Sequence, residues 1–176
     1  MAGAGGFRVI SEGVIESFGG SGLFWYENEI FEDFLLSVEW CLTHEDDNSG
    51  VFLRCPPLAD GIRPAIEQGY EVQIDDRGFD PERQATGSPL HLTGAVYKLA
   101  PATRALSHEV GQWNTFEVTA AGPTITVRLN GMEASKLEFA ARSARGHIAL
   151  QSHHEGSAVR FRNLRVLPIQ GQHRRE

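Results

Sequence analysis

From Phe34 to Leu42 every second residue is apolar: Phe34, Leu36, Val38, Trp40 and Leu42, with Leu35, Ser37, Glu39 and Cys41 between them. Successive side chains of a strand point to opposite faces, so this period of two predicts one long strand with a core-facing side. Residues 70 to 75, Tyr-Glu-Val-Gln-Ile-Asp, repeat the alternation without a slip. Shorter runs of the same kind are Phe7–Ser11, Val14–Phe18, Leu23–Tyr26, Val51–Arg54, Thr93–Tyr97, Trp113–Ala121, Thr124–Leu129, His147–Gln151 and Ala158–Val166. Turn formers separate them: Glu12-Gly13, Gly19-Gly20-Ser21-Gly22, Gly122-Pro123 and Asn130-Gly131, the last a strong hairpin signal. A period of 3.6 is nearly absent; Glu138–Arg145, ended by Gly146, is the one stretch expected to form a short helix.

About a dozen short strands with frequent glycine turns predict an all-β sandwich of two antiparallel sheets. Leu36, Val38, Trp40, Leu53, Val72, Ile74, Phe116, Val118, Ile125, Val127, Leu129, Ile148, Leu150 and Phe161 are the expected filling between the sheets. At 176 residues the chain fits one domain, expected over 7–167, with a flexible start over 1–6 and a frayed tail over 168–176. The polar stretch from Asp76 to His91 is long for a connection in a compact domain, and such loops are either functional or mobile.

Charge narrows the partners. With 23 acidic residues against 16 Lys plus Arg, the net charge of −7 offers no basic footprint for nucleic acid. No stretch is long and apolar enough to span a bilayer. The first six residues have neither a basic flank nor an apolar run, so the chain reads as cytoplasmic. Cys41 and Cys55 lack CxxC spacing and are expected as reduced thiols, with a single bridge between them as the alternative.

The 70–75 strand carries the candidate chemistry. Tyr70, Val72 and Ile74 share one face, leaving Glu71, Gln73 and Asp75 in a row on the other. Two carboxylates and a carboxamide in line suit a hydroxyl-rich ligand, and equally suit a half-exposed strand with a wet outer face. Trp25, Trp40 and Trp113 each read first as core, although Trp113 stands at a strand mouth where an indole can stack on a sugar ring.

A series of segments, in order along the chain, resembles the 3-keto-disaccharide hydrolase domain family. They are Gly-Gly-Ser-Gly-Leu-Phe-Trp at 19–25, Asp33-Phe34 to Trp40, Asn48-Ser49-Gly50-Val51-Phe52-Leu53-Arg54, Gly69 to Asp75, and Thr93-Gly94-Ala95-Val96-Tyr97. Gly111 to Glu117, Leu129-Asn130-Gly131, Gly146 to His153 and Phe161-Arg162-Asn163-Leu164-Arg165-Val166 continue it. The resemblance implies a concanavalin-like jelly roll acting on a sugar oxidised to a ketone at its third carbon. Such a ketone acidifies the hydrogen on the second carbon, so the glycosidic bond can break by elimination and water can then add. That chemistry needs a base, a group that stabilises the enolate oxygen, and an acid for the leaving group, but no nucleophile.

On the matching positions, the resemblance implies Glu71, His153 and Asp75 as proton-transfer candidates. It implies Arg54 as a clamp, and Gln73, Asn48, Tyr97, Gln151 and Trp113 as sugar-binding groups. A divalent metal held by Glu71 and His153 is a possible cofactor, replacing Arg54 at the enolate. Two other functions remain open: a lectin-like binding module, and direct glycoside hydrolysis by paired carboxylates. The second needs carboxyl groups ~5–5.5 Å apart, whereas Glu71 and Asp75 are about 13 Å apart along an extended strand.

Overall fold

A computed structural model describes residues 1–58 and 61–169. Strands β1 (Ala2–Gly3), β2 (Gly6–Ser11), β3 (Val14–Phe18), β4 (Gly22–Trp25), β5 (Phe34–Leu42) and β6 (Ser49–Cys55) precede a six-residue helix α1 (Arg63–Gln68). Strands β7 (Tyr70–Ile74), β8 (Asn114–Ala121), β9 (Thr124–Leu129), β10 (Met132–Leu137), β11 (His147–Ser152) and β12 (Val159–Pro168) follow. They form two antiparallel sheets, ordered β1-β4-β11-β6-β7 and β10-β9-β8-β5-β12-β3-β2. Hairpin neighbours such as β8-β9-β10 are joined to strands from distant parts of the chain, as in β4-β11-β6 and β5-β12-β3, the mixture expected of a jelly roll.

The predicted filling lies between the sheets. Leu36, Val38 and Trp40 of β5 share one buried cluster with Phe116, Val118 and Phe161, and with Val51, Leu53, Val72, Ile74, Ile148 and Leu150 of the smaller sheet. Trp40 meets Phe116 with ring centroids 5.3 Å apart. Each such side chain contributes ~1.5–3 kcal/mol by leaving water, so this layer, rather than any surface pair, holds the sheets together. Leu35, between core positions, is 44% exposed, as a period of two requires.

Several expectations need correction. The helix lies at 63–68, where Pro64 occupies the first turn, and not at 138–145. The six-residue helix is too short to show a 3.6 period, whereas the 138–145 segment is mostly exposed, with Ala140 packed against the core, and buries too little to hold a helix. Residues 2 and 3 pair with Leu23 and Gly22, and Gly6 opens β2, so the start of the chain is part of both sheets rather than a flexible lead. Pro168 pairs with Phe34, extending β12 into the segment expected to fray; residues 170–176 lie outside the described residues. Thr93–Tyr97 is not a full strand, but it runs along the edge of β7 through the Val72–Val96 bridge and the Tyr97 N–H to Glu71 carbonyl bond of 2.8 Å.

The long connection after β7 is fastened. Thr93 Oγ1 accepts the Asp75 backbone N–H at 2.9 Å and donates to Asp76 at 2.6 Å, where Ser107 also donates at 2.6 Å. Both cysteines are buried free thiols, and burial pushes the Cys55 thiol far above its ordinary value.

Candidate functional site

Cross-strand register assembles a polar floor on the outer face of the five-stranded sheet. Phe52 pairs with Glu71 and Gly50 with Gln73, and directly opposed residues share a face. On the other side of β6, Ala149 pairs with Phe52 and Leu150 with Val51. Gln151 therefore lies beside Gly50, and Ser49 Oγ donates to its carbonyl at 2.6 Å. The outer face carries Asn48, Gly50 and Phe52 on β6 and its lead-in, Glu71 and Gln73 on β7, and Ala149 and Gln151 on β11. His153 follows Gln151 by one pleat.

This face has a dry end and a wet end. At the dry end α1 and its lead-in lay Leu58, Ile62 and Ala65 over Phe52, Cys55, Ala149, Leu23 and Ala2. Arg142 donates to the carbonyls of Ile66 and Gly69 at 3.1 and 2.9 Å, closing the C-terminal end of that helix. Gln73 and Asn48, themselves buried, and the exposed His153 form the polar end, wet in that it opens to solvent at His153. Glu71, paired with Phe52, stands at the boundary.

Glu71 is half-buried as a residue, with its carboxyl packed against β6 above Gly50. Among the described residues no hydrogen-bond donor reaches that carboxyl, and desolvation pushes its pKa up from 4.5 to about 8. It thus becomes a stronger base than an ordinary carboxylate, ionising near neutrality. Gln151 presents a second unsatisfied acceptor: its Oε1 is buried and has no partner among the described residues. Tyr97 enters from the edge of β7 beside Glu71. Burial, outweighing the pull of Lys98, holds its phenol above the ordinary value, so it keeps its proton.

A hydrogen-bonded relay orients the wet end. Gln73 Nε2 donates to Asn48 Oδ1 at 3.2 Å, and Asn48 Nδ2 donates to Asp75 Oδ2 at 3.2 Å. His153 follows Gln151, with its Nδ1 3.0 Å from that of His154. Desolvation by the surrounding protein atoms, then the neighbouring His154, lower the pKa of the solvent-accessible His153 imidazole against the opposing pull of Asp75. It is neutral at pH 7 and offers its remaining nitrogen to solvent or a ligand.

Three expected site residues are elsewhere or otherwise engaged. Asp75 is fully buried, and both oxygens accept backbone N–H groups, from Arg77 at 3.0 Å and Phe79 at 3.0 Å. It closes the turn after β7 and is not free to move a proton. Direct hydrolysis by Glu71 and Asp75 thereby loses its second carboxylate.

Arg54 is absent from the floor. Between the His147–Cys55 and Ala149–Phe52 pairs β6 carries an extra residue, and Arg54 adopts φ +52°. This β-bulge breaks the alternation and turns the side chain away from the face of Phe52 and Gly50. The guanidinium is 1% exposed and bonds the carbonyls of Glu32 and Gly122 at 2.9 Å each, and Asp33 at 3.3 Å. It ties β6 to the β8–β9 turn of the other sheet.

Trp113 immediately precedes β8 of the seven-stranded sheet, and the Arg162 guanidinium of that sheet lies 3.9 Å from its ring centroid. Sequence alternation cannot say which sheet a strand joins.

Among the described residues no group of three or more His, Cys, Asp or Glu side chains comes together to hold a metal ion. With Asp75 saturated by backbone N–H groups, the candidate pair Glu71 and His153 has no third protein ligand among the described residues. A separate cavity of about 440 Å³ opens at the side of the sandwich, walled by Phe24, Tyr26, Phe31, Leu150, Leu164 and Val166. Its lining is apolar except for Glu29, and it offers none of the convergent polar groups that the outer face supplies.

The sequence profile of the 3-keto-alpha-glucoside-1,2-lyase-like domain matches residues 2–167. The chain belongs to this family. No curated protein matches it in sequence. A candidate glycosyl hydrolase from Parabacteroides distasonis is similar in structure, with a TM-score of 0.77 and 23% identity over 94% of each chain. A protein of unknown function with a galectin-like fold, from Bacillus subtilis, matches with a TM-score of 0.65 and 11% identity over 92% of this chain and 86% of that one. A carbohydrate binding module from Bacillus subtilis reaches 0.57 at 10% identity, over 94% and 96% of the two chains. At such identities these likenesses speak to the fold, a jelly-roll sandwich shared by this lyase-like domain, enzymes and sugar-binding proteins alike.

Proposed function

We propose that this domain cleaves 3-keto-glycosides by elimination, with Glu71 as the base. What supports this most is the Glu71 carboxyl, desolvated between Phe52 and Gly50 and met by no hydrogen-bond donor among the described residues. A module that only binds sugar gains more from an ionised carboxylate, which accepts hydroxyl hydrogen bonds strongly; a carboxyl kept dry gains basicity instead. The description of the family, 3-keto-alpha-glucoside-1,2-lyase-like, supports a glucoside carrying a ketone at C3 as the substrate class.

In this scheme the Glu71 carboxylate takes the proton from C2, and the electron pair of that bond moves into the enolate of the C3 ketone. The pair then forms the C1–C2 double bond as the C1–O bond breaks, and the leaving oxygen takes a proton from the Tyr97 phenol. The neutral imidazole of His153 donates an N–H to the enolate oxygen, a role that does not require a charged ring. Gln73 and Gln151 receive sugar hydroxyls on the floor. Water then adds across the double bond, so the two steps together amount to hydrolysis. Below pH 8 the rate follows the ionised fraction of Glu71 and rises about tenfold per pH unit.

The test incubates the protein with a 3-keto-α-glucoside and its unoxidised parent, following release of the alcohol and of the unsaturated keto sugar. Turnover of the keto substrate alone, reduced about 10²–10⁴-fold by Glu71→Gln, is expected. Equal turnover of both substrates, or undiminished turnover in Glu71→Gln, contradicts the proposal.

A further inference from the structure

Glu71 is opposed by Phe52, yet its carboxyl lies over Gly50, the diagonal neighbour two residues along β6. A Cβ built on Gly50 would collide with Glu71 Oε1 and stand 2.8 Å from Cγ and 3.0 Å from Cδ. Gly50 sits inside a fully buried strand and is absent from the residues with positive φ. Neither a turn nor a left-handed backbone therefore calls for glycine, and a glycine in a strand interior weakens it by roughly 0.5–1 kcal/mol relative to alanine. What glycine supplies at such a place is room for a close approach.

The room matters because of where it leads. With ~4.8 Å between strands and ~3.3 Å per residue, leaning across Gly50 carries the carboxyl one strand toward β11 and one pleat toward the wet end. That brings it from the row of Phe52 into the row that holds Gln73 and Gln151, and closer to His153. Gln151 Oε1, buried and unpartnered, borders the same spot.

We infer that Gly50 is a positioning residue: the space left by its missing side chain seats the Glu71 carboxyl among Gln73, Gln151 and His153. The inference rests on the reading of Glu71 as the base. An added methyl at position 50 pushes the carboxyl back over Phe52 or out into solvent, where it no longer meets the C2 hydrogen of a sugar lying on the floor. The backbone accepts the methyl; the Glu71 side chain does not.

Two measurements test this. In a stability cycle, Gly50→Ala is compared in wild-type and Glu71→Ala backgrounds by thermal melting. The methyl is expected to lower the melting temperature in the first and to be neutral or stabilising in the second; an equal effect in both overturns the inference. Carbon-13 NMR of the glutamate carboxyls, with Glu71→Gln for assignment, follows the Glu71 titration in wild type and in Gly50→Ala. The titration midpoint should move toward the ordinary value in the variant, and kcat should fall about 10²-fold with KM changed far less, as expected for a base misplaced by about 1 Å. An unmoved midpoint and unchanged kcat in folded Gly50→Ala overturn the seat. A wild-type midpoint near 4.5 contradicts Glu71 as a perturbed base, while the stability cycle still decides whether Gly50 seats it.

Discussion

The two sheets each turn a polar face outward, and the two faces use their charges in opposite ways. On the seven-stranded sheet Glu16 lies between Arg8 and Arg160, at 2.7 and 2.9 Å, and Glu39 accepts from Arg162 and Asn163, each at 2.7 Å. Hydrogen bonds from Asn163 and then Arg162 hold the Glu39 carboxyl below its ordinary value. Arg162 in turn covers Trp113. On the five-stranded sheet the Glu71 carboxyl and Gln151 Oε1 have no such donors among the described residues, and the Glu71 pKa moves the other way. A paired carboxylate on a wet face is solvated and finished; an unpaired one at the edge of an apolar cluster is poised to take a proton. Both faces come from strands with the same period-two pattern, so pairing, not polarity, separates a surface from a site.

The largest contrast is in turnover. Glu39→Gln and Glu71→Gln each neutralise one strand carboxylate. The first should leave keto-glycoside turnover within about twofold, whereas the second abolishes most of it. Comparable losses from both would erase the distinction between the faces.

Stability should show the contrast next. The Glu71 carboxyl is raised in the folded protein, so the folded state holds a proton that the unfolded chain releases at lower pH. The associated stability is fully present below pH 4.5 and is lost as pH rises to about 8, by up to about 1.4 kcal/mol per unit. Urea denaturation across that range should show this loss in wild type and a flatter curve in Glu71→Gln. For Glu39, whose carboxyl is lowered, the sign reverses: its contribution is present above the ordinary carboxylate pKa and is lost as pH falls through the depressed value. A wild-type curve as flat as that of Glu71→Gln would contradict the desolvated carboxyl.

Arg54 sharpens the comparison from a third place. Bridging the sheets at their end, it should cost about 3 kcal/mol when changed to Met, because the Glu32 and Gly122 carbonyls and Asp33 lose their donor. Turnover per folded molecule should be nearly unchanged. A stable Arg54→Met that loses turnover would return Arg54 to the sugar. The smallest effect belongs to Arg162→Ala, which removes a half-buried ion pair and a stacked guanidinium: about 1 kcal/mol in denaturation and no change in sugar binding.

The sandwich was legible because its signal is periodic. Leu36, Val38 and Trp40, and Val72 with Ile74, lie in the core as alternation requires. The polar row of Glu71 and Gln73 was legible for the same reason. What alternation cannot carry is a change of parity or of sheet. Arg54 sits two residues beyond Phe52, and one extra residue in β6 sends it to the opposite side. Trp113 and Glu71 both flank apolar strands, but the topology places them on different sheets. Asp75 continues the acidic row in sequence, yet the chain turns immediately after it and consumes both oxygens. Gly50 left a signal that composition alone does not weigh: an isolated glycine inside a strand, the usual mark of something lying close against the backbone.

The most direct measurement uses a 3-keto-α-glucoside carrying deuterium at C2. Removal of that hydrogen by Glu71 predicts slower alcohol release than from the protiated sugar and loss of the label from the unsaturated product. It also predicts a rate that climbs with pH to a plateau near 8. Release at the same rate from both sugars, with the deuterium retained at C2 of the product, would contradict the account.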